Sequence, residues 1–540
     1  MSFSSFKRVA SYVFSRVNPL SLVIFLSILG VGALFRLTNL DGHSLTQDES
    51  TMLEFTKGLL EYGYPALLRG ESEVLMATYE LLPYFIAPVV YFLGWSEFSV
   101  RLPSAIFGLG TLCLIFIAAR AWFGNRVGLW ASFLYAISPW SLYWAQNCFY
   151  PSQVQFFTLL STILVYRVLK ENQAPAWCYY AMAISLCFTY LSWEASGMLF
   201  LVYGVMALWL RWGRWDYLRS PHAWFALLIV GVVVIAQLVR RTMLRESYLI
   251  VGSSRADIST PQLAMKQPTF NPYYYLENIF ASEQLLVLSA FFLAGVFFLR
   301  GNWALRFVYG FTLLGLAAYT LLLPVQAVRY VYVLFPLFLI SASAATFFLL
   351  DWAVIKRGLS SLLSLKVLST SCVMVLLALQ GLAISNSGLN LSELNSRYRG
   401  PPPWELRPDI IGVDFRHTAH ILGERFSQDD IIIARGPFLL HLYTGLKGHY
   451  ALQKISASIV VYEPNRGLPH YSDKWIGNPV LRTEEELKDV LLRHKRVWFV
   501  ATPLGPVQQV LGKELFRFIH ESMELVTEGH HVRLYLWERD

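Results

Sequence analysis

Uninterrupted apolar runs of about 20 residues recur along this chain, and one such run is already long enough to cross a bilayer. With no water in the hydrocarbon to take up backbone amides, these runs must fold as helices that satisfy their own hydrogen bonds. The chain therefore reads as a polytopic α-helical membrane protein. Its charge content agrees: 15% of the 540 residues are charged, against roughly 25% in soluble domains. A single large apolar core in a soluble protein does not account for so many separate runs.

The first run, Leu20 to Leu37, follows Lys7, Arg8 and Arg16. It is longer than the apolar core of a cleaved signal peptide, so it reads as a first span with the N-terminus cytoplasmic. Residues 38–98 then form a polar first outer loop. Within it, Leu81 to Leu93 is apolar but short and carries Pro83 and Pro88. It is expected to lie along the outer surface rather than cross. Further spans are expected over Ser99–Ala119, Val127–Trp144, Ser152–Val168, two within Trp177–Leu210, Trp224–Leu238, Leu285–Leu299, Phe307–Leu323, Val331–Leu350 and Val367–Ile384. That makes about eleven transmembrane helices. Short loops assigned inside carry most basic clusters, which accounts for the net charge of +8. With no basic stripe apart from those loops, nucleic acid is excluded as a partner. The exception to the inside rule is the long outer loop that opens with Arg240, Arg241 and Arg245.

Composition changes near Asn386, and Pro401-Pro402-Pro403 marks a linker. We read residues 1–385 as the membrane domain and 386–540 as a small α/β domain at the outer face. In the latter, Asp430–Ala434 and Val497–Ala501 read as buried strands. Thr483 to His494 reads as a helix capped by Thr483, with Glu486 three residues on. The five cysteines lie in or beside apolar runs without metal-ligand spacing, so neither a disulfide framework nor a zinc site is expected.

Gln47-Asp48-Glu49 in the first outer loop admits two readings. Adjacent carboxylates can deprotonate a hydroxyl or bind a cation. They also suit the first turn of a helix capped by Thr46.

In order along the chain, five features resemble the GT-C glycosyltransferases, in the branch of the protein O-mannosyltransferases and lipid A aminoarabinose transferases. These are the Asp48-Glu49 pair after the first span; the surface helix Leu81 to Gly94; Ser96-Glu97-Phe98-Ser99-Val100-Arg101-Leu102-Pro103-Ser104-Ala105 with Gly108; Ser138-Pro139 followed by Tyr143-Trp144-Ala145-Gln146; and Arg329-Tyr330 with Pro336. The likeness covers most of residues 20–350. It implies an inverting transfer from a polyprenyl-phosphate sugar to a hydroxyl acceptor on a protein, lipid or polysaccharide, at the outer face of a bacterial plasma (inner) membrane.

On that resemblance Asp48, with Glu49, is the catalytic acid pair, Asp48 acting as base. Arg329 is the first choice for the donor phosphate, with Arg101, Lys57, Arg240, Arg241 and Arg245 behind it. Tyr330, Glu194, Glu80, Tyr79 and Gln146 would line the substrate cavity. Arg329 also suits a lipid-headgroup contact at a helix end, and Glu194 a solvated turn. Two departures stand out. Thr78-Tyr79-Glu80 stands where the family often has His-Pro-Pro or Lys-Pro-Pro, and Gln146-Asn147-Cys148-Phe149-Tyr150 lacks the second acid often found after the third span. No cofactor is assigned, although the acid pair leaves room for a divalent cation. A transporter or flippase of lipid-linked glycans, or a non-catalytic membrane scaffold, would be the other classes. The first predicts charges at the bilayer midplane, whereas here they collect near the outer face.

Overall fold

A computed structural model of the chain describes residues 18–42, 44–69, 72–75, 79–171, 174–213, 218–244, 270–280, 285–323 and 326–356 of the membrane part. Of the C-terminal part it describes 415–434, 437–452, 460–463, 470–473, 476–481, 483–501, 517–529 and 532–539. The expected span Val367–Ile384, the linker at Pro401, the domain boundary near residue 386 and Arg245 lie outside these residues.

The membrane part is helical: α1 (Pro19–Leu37), α2 (Gln47–Tyr62), α3 (Leu81–Leu93), α4 (Glu97–Phe123), α5 (Asn125–Ile137), α6 (Pro139–Ala145), α7 (Pro151–Lys170), α8 (Ala176–Ser192), α9 (Met198–Leu210), α10 (Pro221–Leu244), α11 (Leu286–Ala294), α12 (Trp303–Leu322) and α13 (Phe335–Lys356). A two-stranded antiparallel hairpin, β1 (Ala66–Arg69) and β2 (Ser72–Leu75), follows α2. Among the described residues six helical stretches are long and apolar enough to cross a bilayer: Pro19–Leu37, Glu97–Phe123, Pro151–Lys170, Pro221–Arg240, Trp303–Leu322 and Val328–Trp352.

The difference from about eleven has a physical reason. The third expected span is broken at Ser138, where Pro139 cannot continue α5 and instead opens α6. The run Trp177–Leu210 is split at Trp193, leaving α8 with 17 residues and α9 with 13. The run Leu285–Leu299 passes from α11 into a 3₁₀ segment at Gly295. The helix α3, by contrast, spans Leu81–Leu93 and is one of the shorter apolar helices.

The break after α5 is held by Arg36 at the C-terminal end of α1. Its guanidinium, fully buried, donates to the last carbonyls of α5, Tyr135 O at 3.0 Å and Ala136 O at 3.1 Å, and to Ser141 Oγ at 2.8 Å. A cation suits the negative end of a helix dipole, and the carbonyls freed by the break need donors. Gly108 on α4 makes the room: a Cβ there would stand 3.1 Å from Arg36 Nε and 2.9 Å from Ala145 Cβ.

The C-terminal part is a six-stranded sheet in the order β7-β4-β3-β8-β10-β9. Its strands are β3 (Ile431–Ala434), β4 (Tyr450–Leu452), β7 (Val480–Leu481), β8 (Arg496–Ala501), β9 (Glu524–Gly529) and β10 (Val532–Glu538). The first four strands in that spatial order run parallel, β10 is antiparallel to β8, and β9 is antiparallel to β10. Strands β5 (Val460–Glu463) and β6 (His470–Asp473) form a separate hairpin. The central strands β3 and β8 are buried on both faces, as their unbroken apolar runs require. Helices α14 (Phe415–Arg425), α15 (Pro437–Thr444) and α16 (Glu484–Arg493) accompany the sheet. The hydroxyl of Thr483 caps α16 by accepting from Glu486 N.

Candidate active site

The site is built around the start of α2. Thr46 and Glu49 form a capping box, with Glu49 N donating to Thr46 Oγ1 at 3.3 Å and Thr46 N to Glu49 Oε2 at 2.9 Å. This fixes the first turn, and Asp48 projects from it. The far end of α2 is braced by Gly58, where any Cβ would collide with Ala66 O of β1 at 2.0 Å.

Asp48 is met by Arg329, the second residue of the 3₁₀ turn Val328–Leu334 leading into α13. Arg329 Nη1 donates to Asp48 Oδ2 at 3.0 Å. The carboxylate side chain remains 40% exposed while the guanidinium is only 17% exposed. The residue expected to act as base and the one expected to hold the donor phosphate thus touch directly.

Aromatic rings enclose this pair. Arg329 lies over the rings of Phe149 and Tyr330. Tyr79 stacks on Tyr150 at 4.5 Å, Tyr150 on Trp193 at 5.3 Å, and Trp193 on Tyr330 at 5.1 Å and Tyr319 at 5.6 Å. Tyr79 adopts φ 58°, a left-handed backbone that a bulky residue rarely takes, so the stack is held against local strain. Burial pushes its phenol above the ordinary range, so it stays protonated. The hydroxyls of Tyr150 and Tyr319 and Arg329 Nε are buried without hydrogen-bond partners. A buried polar atom without a partner can take one from a bound ligand or water.

Glu49 has a different environment from Asp48. It is fully buried and accepts from Arg101 Nε at 2.7 Å, Arg101 Nη2 at 3.0 Å and Cys148 N at 2.8 Å, besides Thr46 N. Arg101 also donates to Leu40 O at 2.6 Å and Ser44 O at 3.2 Å. This bidentate pair is saturated from within the protein, which points Glu49 away from proton transfer and Arg101 away from phosphate.

The other expected residues separate. Lys57 pairs with Glu54 at 2.6 Å; nine residues beyond Asp48 on one helix, it lies about 14 Å along the axis and on the opposite face. Arg240 on α10 pairs with Glu80, which also accepts from Gln237 Nε2 at 2.8 Å, so α10 is tied to the start of α3. The side chain of Arg241 lies outside the described residues. Gln146 is buried and donates to Phe35 O at 2.8 Å and Thr38 O at 3.1 Å, at the end of α1. Glu194 opens a 3₁₀ turn beside Trp193, within electrostatic reach of Tyr79. Among the described residues no group of three or more His, Cys, Asp and Glu side chains is placed to hold a metal ion.

Trp193, Tyr150, Tyr319 and Phe149 were not singled out from the sequence. Their signal, aromatic residues at span ends, is common to any membrane protein. Tyr443 and Arg416 were likewise missed, and Glu97 entered only as part of the motif that opens α4. Tyr443 OH donates to Glu97 Oε1 at 2.6 Å and Arg416 Nη1 to Glu97 Oε2 at 2.9 Å. Burial beside the Glu97 carboxylate raises the Tyr443 phenol, keeping it a donor.

Comparison with known proteins agrees with the motif resemblance. Residues 81–239 match the family described as dolichyl-phosphate-mannose-protein mannosyltransferase. No curated protein sequence matches the chain. The fold is similar to that of ArnT from Cupriavidus metallidurans bound to undecaprenyl phosphate, with TM-score 0.62 and 14% identity over 95% of this chain and 97% of that one. It is also similar to the archaeal oligosaccharyltransferase AglB from Archaeoglobus fulgidus in complex with an inhibitory peptide and a dolichol-phosphate, with TM-score 0.53 and 11% identity over 88% and 69%. The chain thus has the fold of the GT-C glycosyltransferases, as its motifs led us to expect.

Proposed function

We propose that this protein is an inverting glycosyltransferase that moves a sugar from a polyprenyl-phosphate donor to a hydroxyl acceptor at the outer face of the membrane. The observation that carries this reading is the Asp48–Arg329 pair, set among buried phenols with unpartnered hydroxyls. The donor class draws support from two structures of the same fold, solved with undecaprenyl phosphate and with a dolichol-phosphate. In this reading the acceptor oxygen attacks the anomeric carbon and gives its proton to Asp48. The bond from that carbon to the phosphate oxygen breaks, and the lipid phosphate leaves with the electron pair. Arg329 receives the phosphate, since a guanidinium matches it with two parallel hydrogen bonds.

Because Asp48 and Arg329 touch, the donor must exchange one anion for another at Arg329. That exchange frees the carboxylate as the leaving group is gripped, so the base becomes available only with donor in place. The broken and shorter helices would complete about eleven passes, with the N-terminus cytoplasmic and the C-terminal domain outside, in a bacterial plasma membrane. Purified protein in liposomes, given radiolabelled polyprenyl-phosphate sugars and a membrane extract as acceptor, tests the reading. Label should move to acceptor with wild type and not with Asp48→Asn; transfer undiminished in Asp48→Asn would overturn it.

A further inference from the structure

The short loop between α1 and α2 is gripped from two sides. From the membrane part, Arg101 holds Leu40 O and Ser44 O. From the C-terminal part, Arg416 Nη1 donates to Asp41 O at 2.9 Å and Nη2 to Gly42 O at 3.2 Å. Phe415 N donates to Ser44 Oγ at 3.2 Å, and Leu45 N donates to Tyr443 Oη at 2.6 Å. Glu97, at the head of α4, joins the two grips by accepting from both Tyr443 and Arg416. Its side chain is only 12% exposed. Three residues beyond Leu45 stands Asp48.

We infer that the C-terminal domain is a positioning part of the transfer site, acting through Tyr443 and Arg416 on Glu97 to set the loop that precedes Asp48. This rests on the function proposed above. Neither residue touches a reacting atom. Their effect is geometric: hydrogen bonds to Asp41 O, Gly42 O and Leu45 N fix the backbone immediately before the Thr46 cap, and the cap fixes the first turn of α2. A misplacement of about 1 Å at a reacting group costs on the order of 100-fold in rate.

The test uses the full-length protein in nanodiscs, with two readouts on Tyr443→Phe, Arg416→Gln, Glu97→Gln and Glu97→Ala. Hydrogen–deuterium exchange of the 39–48 segment should quicken about fivefold in Tyr443→Phe, which loses the acceptor of the Leu45 amide. Transfer should show kcat lowered about tenfold or more, with the donor KM changed less than about twofold. Glu97→Gln, which keeps an acceptor oxygen for Tyr443, should fall between wild type and Glu97→Ala. Arg416→Gln, at the rim of the interface, gives the same reading if Tyr443→Phe does not fold. Unchanged exchange in Tyr443→Phe and Arg416→Gln overturns the inference, as does quickened exchange with kcat intact. A wild-type protein that transfers no polyprenyl-phosphate sugar, while its variants still exchange faster, sinks the proposed function and leaves the clamp standing.

Discussion

Asp48 and Arg329 stand 281 residues apart in the chain and 3.0 Å apart in space. Their contact gives Asp48→Asn two opposite effects. Removal of the base should lower transfer by about 10²–10⁴-fold, the usual worth of general-base help. Removal of the competing anion should tighten binding of a polyprenyl phosphate, because Arg329 no longer has to give up an internal partner. Isothermal titration with undecaprenyl phosphate checks the second effect, and weaker binding in the variant would count against phosphate reaching Arg329. The neighbouring acid should behave differently. Glu49→Gln leaves the Arg101 guanidinium buried opposite a neutral group, and breaking a buried pair typically costs about 3–5 kcal/mol. A lowered thermal midpoint in detergent is the expected result, so adjacent residues of the same charge part into reaction and support. Sequence marked both acids but not this division, because the Thr46–Glu49 cap is local whereas the Arg101 and Cys148 partners lie 52 and 99 residues away.

At the level of elements, Ser96 caps α4 by accepting from Ser99 N, and the positive-φ glycines Gly94 and Gly124 end α3 and α4. If α3 lies on the surface, as its length and two prolines predict, Asp41→Cys and Trp95→Cys should label from the same side of sealed vesicles. Labelling from opposite sides would require α3 to cross. Hydropathy could not see the break between α5 and α6, since Trp140, Leu142 and Trp144 keep the run apolar through Pro139. Nor could it assign Arg36, one residue from the end of the first span, to the carbonyls of Tyr135 and Ala136. Arg36→Met should therefore destabilise the protein more than an equivalent change in an exposed arginine, because several buried acceptors lose their donor at once. Melting of Arg36→Met beside Arg126→Met makes that comparison.

For the whole molecule, the two parts are separable by composition yet joined through the loop preceding α2. That junction was not legible, because Tyr443 and Arg416 sit in ordinary amphipathic helices and nothing in their surroundings announces a partner over 300 residues earlier. A chain ending before Pro401 should still insert but transfer at least about tenfold more slowly than the full protein. Matched activity in the shortened chain would reject a role for the C-terminal domain. The 375 residues between Asp41 and Arg416 also have a meaning in time. At about 5–20 residues per second of synthesis, the loop before α2 leaves the ribosome some 20–75 s ahead of the residues that clamp it. A nascent chain would insert its membrane helices with the Arg101 grip on that loop already formed, and would gain the second grip, from Tyr443 and Arg416, only as its C-terminal domain folds.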